Sequence, residues 1–219
     1  MRSSAADRRR HRVGVVAVAL LVVLAGCGGP SGERTPETIT ATAGQATVSD
    51  VALSATGFSE RTVQERQLSD SGTLDVSGDV EMEVTYRIEA TTSRGVYASG
   101  EGSVFAAYSV PLVEPDDVAA TINPLGGRSV SDVVTHAQDT YGEFGDLDHV
   151  ENTTVTMLGT QTTLGKYATA ASGPDGSTEV FVYVAQVQHD GDVVVAVAVL
   201  PQANDDAEAV RMLVGGIER

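Results

Sequence analysis

A chain of 219 residues with 14 basic and 30 acidic side chains carries a formal charge of −16, which repels nucleic acid and anionic lipid head groups and sets both aside as partners. Apolar residues make up 42% of it, enough to build a core, so the chain is not a disordered polymer. A single cysteine, Cys27, excludes an internal disulfide.

The chain opens with a cationic head, Arg2, Arg8, Arg9, Arg10 and Arg12, followed by an apolar run from Val13 to Ala25. At thirteen residues this run is too short to span a bilayer, and head plus run read as an export signal. Leu24-Ala25-Gly26-Cys27 closes it and resembles the lipobox of prokaryotic lipoproteins. The resemblance implies cleavage after residue 26 and a thioether-linked lipid on Cys27. One long acyl chain anchors only marginally, so two are expected. Arg8-Arg9 leaves general secretory and twin-arginine export both open. The expected address is the extracellular face of the cytoplasmic membrane, with the lipid as the membrane contact.

Removing residues 1–26 takes five of the 14 basic and one of the 30 acidic residues, leaving 193 residues with a net charge of −20 before the termini. Only one lysine is present, Lys166. Such a chain repels itself in ordinary salt, whereas at molar salt the Debye length shrinks to about 3 Å. High acid, scarce lysine and abundant Ala, Val, Thr and Gly resemble the proteins of extreme halophiles, and the acidity reads as solvation in brine.

Residues 27–45, rich in Gly, Pro, Ser and Thr, read as a flexible tether, with a single α+β domain over 46–219. Thr47–Leu53 has strand-like alternation; residues 61–68 fit neither period; Asp70-Ser71-Gly72 and Ser77-Gly78-Asp79 read as turns. Val80, Met82, Val84, Tyr86 and Ile88 alternate with charged or polar neighbours, the pattern of a one-sided strand. Ser93-Arg94-Gly95 reads as the turn that brings the chain back, through Val96–Tyr97 and an interruption at Gly100-Glu101-Gly102, to a strand at Val104–Val110. Ser129, with Asp132 three residues on, caps a helix whose apolar face is Val130, Val133, Val134, Ala137 and Tyr141, and Gly142 ends it. Residues 143–151 read as an acidic loop. A β-meander follows from Thr153, with bends at Gly159 and Gly165 and a tight Asp190-Gly191 hairpin. Val193–Leu200, apolar on both faces, is a central strand covered on each side. Pro201 stops it, and Asp205 with Glu208 opens a last helix facing inward through Val210, Leu213, Val214 and Ile217. The fold class is α+β, an antiparallel sheet with packed helices.

Val104–Pro111, Asn123-Pro124-Leu125 and Thr156–Thr160 resemble an uncharacterised family of haloarchaeal lipoproteins, over most of Ala46–Arg219. The order helix, meander, apolar strand, proline, helix over residues 111–219 is also similar to the Mog1/PsbP-like α/β/α sandwich of some bacterial lipoproteins. That second likeness implies a fold and no function, and neither resemblance supplies a site residue.

Candidate chemistry is sparse. Asn152-Thr153-Thr154 is an N-glycosylation acceptor, which would put Asn152 on a surface turn. Glu143, Asp146, Asp148, His149 and Glu151 crowd one stretch; carboxylate with imidazole is ligand chemistry, but the spacing matches no calcium or zinc motif, and solvated, brine-facing acids are the preferred reading. The metal set to test is Asp146, Asp148, His149 and Glu151. His136, His149 and His189 have no serine at a recognisable spacing, no G-x-S-x-G elbow is present, and no cofactor motif occurs. Expected, therefore, is a non-catalytic envelope module that binds a small ligand or an envelope protein. The alternatives are a metal-dependent hydrolase working through residues 143–151 and a purely structural surface protein. A binding module predicts an apolar groove between sheet and helices, whereas the hydrolase predicts His149 and two carboxylates around one point.

Overall fold

The computed structural model describes residues 37–76, 82–100, 102–115, 120–173 and 176–219. The leader, Cys27 and the turn at residues 77–79 lie outside them. Over these residues the chain is one compact unit, Pro36–Arg219.

The chain enters this unit as strand β1, Glu37–Thr42, which runs parallel to β4, Met82–Ala98, from Glu37 opposite Tyr86 to Thr42 opposite Thr91. The expected tether therefore does not extend to residue 45. Ile39 and Ala41 pack against buried Ile88 and Ala90, and that apolar contact holds β1 in the sheet.

Alternation across Thr47–Leu53 is resolved differently from the sequence reading. Thr47–Val48 is a two-residue strand, β2, and Asp50–Thr56 is a helix, α1. The Ser49 hydroxyl accepts from Ala52 N, Asp50 sits in the first turn, and Gly57 closes the helix in the left-handed region at φ 73°. A local cap thus outweighs a three-residue pattern.

Ser59–Val76 forms a single strand, β3, paired antiparallel with the whole of β4. Neither Asp70-Ser71-Gly72 nor Ser93-Arg94-Gly95 is a turn. Both lie inside strands, and the hairpin from β4 into β5, Val104–Pro111, comes after Ala98 instead. The one-sided alternation of residues 85–90 is as expected, with Ile88 and Ala90 buried and Thr85, Arg87 and Glu89 exposed.

The meander is also as expected. Strands β6 (Asp148–Met157), β7 (Thr160–Gly173), β8 (Gly176–His189) and β9 (Asp192–Pro201) pair in sequence order, and β9 adds to β5. Asp190 and Gly191 both take positive φ, 47° and 82°, as the two-residue hairpin requires. Gly165 is not a bend but lies within β7, where the Tyr167 ring covers it. Among the described residues the main sheet has eight strands, in the order β1-β4-β5-β9-β8-β7-β6 with β3 on the outer side of β4. It is mixed, since β1 is parallel to its neighbour, and continuous, since β9 joins the meander to the first half of the chain.

Strand β9 divides the core in two. Val194, Ala196, Ala198 and Leu200 face one cluster, which includes Phe105, Met157 and Tyr183; Val193, Val195, Val197 and Val199 face the other, with Val96, Tyr108 and Val182. Ala209, Val210, Leu213 and Val214 of helix α3, Ala207–Gly215, are buried, and most of them join the first cluster, beside α1. Helix α2, Val130–Ala137, closes the second with Val133, Val134 and Ala137. The coarse class, α+β with helices packed on a sheet, follows from that arrangement.

Three helix ends differ in detail. The capping box of α2 is present, with Ser129 Oγ accepting from Asp132 N, but the helix stops at Gln138, well short of Gly142. The buried Gln138 carboxamide holds the following turn by accepting from Thr140 N and Tyr141 N and donating to Tyr141 O. At α3 the cap is Asp206, not Asp205, accepting from Ala209 N at 2.9 Å. Beyond α3, Ile217–Glu218 forms strand β10 and pairs with β2, so Ile217 is buried from a strand and not from a helix.

The end of α3 touches the start of α1. Gly216 O accepts from Ser49 N at 2.9 Å, and a methyl group on Gly216 would lie 2.4 Å from Ala52 Cβ. Gly216→Ala is expected to lower stability by about 1–3 kcal/mol, the usual range for overpacking. Guanidinium titration checks this against Gly100→Ala, where nothing lies within 4 Å.

Candidate functional site

The residues expected to bind metal do not converge. Asp148, His149 and Glu151 lie on β6, where successive side chains leave opposite faces of the strand and a register shift falls between His149 and Glu151. All three are exposed, and Asp146 precedes the strand. Among the described residues no group of three His, Cys, Asp or Glu side chains could hold an ion. His149 is engaged elsewhere: its ring stands edge-on to Tyr167 at 5.6 Å, and its Nε2 donates to Asn152 Oδ1 at 3.0 Å. Asn152 itself is exposed, as a glycan acceptor needs, but from a strand and not a turn.

A different set of charged groups does converge. In β4 the inward face runs Ile88, Ala90, Thr92, Arg94 and Val96, all buried. Arg94 thus occupies a core position, with its side chain only 1% exposed. Its Nη2 donates to Asp139 Oδ2 at 2.8 Å, and Arg66 Nη2 from β3 reaches the same oxygen at 3.3 Å. Gln64, with its amide oxygen turned toward them, accepts from both guanidinium groups. The Nε of Arg94 is buried and has no hydrogen-bond partner among the described residues. A buried donor left unpaired costs about 1–3 kcal/mol, which makes this atom the exception to explain.

Arg66, Arg94 and Asp139 border a groove of about 310 Å³ between the β3–β4 hairpin and α2, with Leu68, Tyr108 and His136 along its walls. Two guanidinium groups meet one carboxylate there, in a chain whose formal charge is −16. The hydrogen bond from Arg94, reinforced by the positive charge of Arg94 and Arg66, holds the Asp139 carboxyl below its ordinary range despite some burial. Burial pushes the Tyr108 hydroxyl up, opposed by a hydrogen bond to Thr92 and by the nearby arginines. The groove therefore sets converging charged groups within a mixed polar and apolar lining, unlike the concavity without converging polar groups expected from the sequence. A second, wider depression of about 620 Å³ lies at the start of α2, beside Phe144, Asp146 and Tyr167.

Arg94 was legible in principle. Read through without a turn, the alternation of residues 88–96 puts it in phase with Ile88, Ala90 and Val96, and a charged residue at an apolar phase is a signal. Asp139 had no comparable signal, because its partners come from strands 45 and 73 residues away.

A mixed sheet with helices on both faces, and a groove beside α2 in which two arginines meet one carboxylate, define an α+β domain with a charged concave site among its described residues. The chain belongs to the family described as a domain of unknown function (DUF6517), which its residues 45–218 match. No curated protein and no solved structure matches it.

Proposed function

We propose that this protein is a lipid-anchored, non-catalytic binding module on the outer face of the cytoplasmic membrane, and that it takes a small anionic ligand in the groove over Arg94. The address rests on Leu24-Ala25-Gly26-Cys27 behind its cationic apolar leader, and the brine-adapted, haloarchaeal setting on the acidic, lysine-poor composition. The binding role rests on one observation: Arg94, a buried guanidinium whose Nε has no partner among the described residues, lines a groove in a strongly acidic chain. A cation placed there at the expense of its own solvation is a ready receptor for negative charge.

Two measurements test this on the full-length protein. Mass spectrometry of native material is expected to find an N-terminus at Cys27 carrying lipid; an intact leader or a bare thiol removes the address. Thermal unfolding in molar potassium chloride, against a panel of small organic and inorganic anions, is expected to rise by about 5–10 °C with a matching anion at hundredfold excess over its Kd. Arg94→Gln should abolish the rise. A panel without effect on the native protein would remove the binding role.

A further inference from the structure

We propose that the ligand is a small organic acid bound through its carboxylate, and that Asp139 is the chain's own occupant of the carboxylate position. This rests on the binding role given above and goes further by naming the ligand class and how the site opens. Asp139 presents one oxygen, Oδ2, to Nη2 of both arginines. Nε and Nη2 of a guanidinium lie side by side on one edge and match the two oxygens of a planar carboxylate. On Arg94 that edge is half used, since Asp139 takes Nη2 while Nε stays without a partner.

The two partners differ in their freedom to move. Arg94 is 1% exposed and fixed within β4, whereas the Asp139 side chain is 60% exposed on the loop after α2. Asp139 can therefore swing into solvent and leave Arg94 for an incoming carboxylate. Leu68 and the Tyr108 ring give the groove an apolar wall, and its volume of about 310 Å³ suits a compact acid with a hydrocarbon or aromatic body. A planar carboxylate uses both of its oxygens on one guanidinium edge, and the apolar wall offers nothing to the further oxygens of a phosphate or sulfate, which favours a carboxylate. An internal competitor lowers apparent affinity by the fraction of time that it occupies the site, so its removal should tighten binding.

The test titrates benzoate and, separately, sulfate into the full-length protein in molar potassium chloride by calorimetry. Asp139→Asn is expected to bind benzoate about tenfold more tightly than the native chain. Adding Arg94→Gln to that variant is expected to remove benzoate binding. Asp139→Ala serves in its place should the amide variant fail to fold. Benzoate affinity that is unchanged or weaker without the Asp139 carboxylate overturns the proposal. Sulfate bound more tightly than benzoate overturns the carboxylate class while leaving the binding role intact. If neither anion binds the native chain or its variants, both readings fall.

Discussion

Replacing Asp205 by alanine is expected to destabilise the protein by about 3–5 kcal/mol, the cost of leaving a buried charge without its partner. Lys166, the only lysine in the chain, stands on β7 with its side chain 11% exposed. Its Nζ lies 2.7 Å from Asp205 Oδ2, 3.9 Å from the centre of the Phe181 ring and 5.3 Å from that of Tyr183. The other oxygen of Asp205 accepts from the Tyr183 hydroxyl at 2.5 Å. Without Asp205 the ammonium keeps, among the described residues, the aromatic faces and exposed Glu151 across from it on β6, which makes no ion pair with it, and cation–π attraction of about 2 kcal/mol does not replace a counter-ion. Burial, the hydrogen bond to Asp205 and the charge of Asp205 hold the Tyr183 hydroxyl far above its ordinary range. Asp205→Ala should therefore lower the titration of Tyr183, a change visible by ultraviolet absorbance. The double variant Lys166→Met, Asp205→Ala should recover most of the loss, since apolar groups tolerate this site better than one unpaired charge. A single variant that loses less than about 1 kcal/mol would mean that water reaches Lys166 and that the pair behaves as a surface pair.

How much of this fold the sequence discloses depends on whether the deciding interaction is local. The Asp190-Gly191 hairpin, the Ser129–Asp132 capping box and the doubly buried β9 are set by neighbouring residues or by an unbroken apolar run, and each is found where the pattern puts it. Strand β3 is the opposite case. Glu65, Arg66 and Gln67 make it polar and exposed on both faces, and its partner is supplied wholly by β4, so it has little apolar signal of its own. Strand β1 likewise depends on Ile88 and Ala90 across the sheet.

The misread turn at Ser93-Arg94-Gly95 has the same origin. Polar and glycine residues in succession suggest a reversal, but Arg94 has a tertiary partner and Gly95 a close neighbour in its own strand. Arg94 is paired through Asp139, and Gly95 lies against the Tyr97 hydroxyl, 2.9 Å from where a Cβ would stand. Tyr97 in turn receives a hydrogen bond from Val48 N at 2.9 Å. The acidic stretch gathers no metal-holding group among the described residues for a geometric reason: extension of residues 148–151 into a strand separates side chains that a loop could have gathered. Composition reported the abundance of carboxylates, whereas the site depends on which few of them face an arginine.

Asp192 is the second buried carboxylate of this kind, and Arg219→Ala is expected to lower stability by about 3–5 kcal/mol through it. Asp192 opens β9 with its side chain 6% exposed. Its Oδ2 accepts from Gly44 N at 2.7 Å, from Ser109 Oγ at 3.2 Å and from Arg219 Nη2. Arg219 also donates through Nη1 to His189 O at 2.7 Å, so one guanidinium ties the segment after β10 to the β8–β9 hairpin. Gly44 leaves room for it, since a Cβ there would displace the guanidinium. Truncating Arg219 leaves Asp192 with two hydrogen bonds and no opposite charge, and buried pairs are screened little by salt, so the loss should persist at molar ionic strength. Adding Asp192→Asn should restore part of it, because a carboxamide oxygen still accepts from Gly44 and Ser109 without carrying charge. Amide exchange distinguishes this mechanism from general loosening: the Gly44 amide should exchange faster in Arg219→Ala and slow again in the double variant, while amides in the centre of β9 follow only the global stability. Equal acceleration at Gly44 and in the centre of β9, beyond what the stability change accounts for, would mean that Arg219 supports the whole sheet and not this one junction.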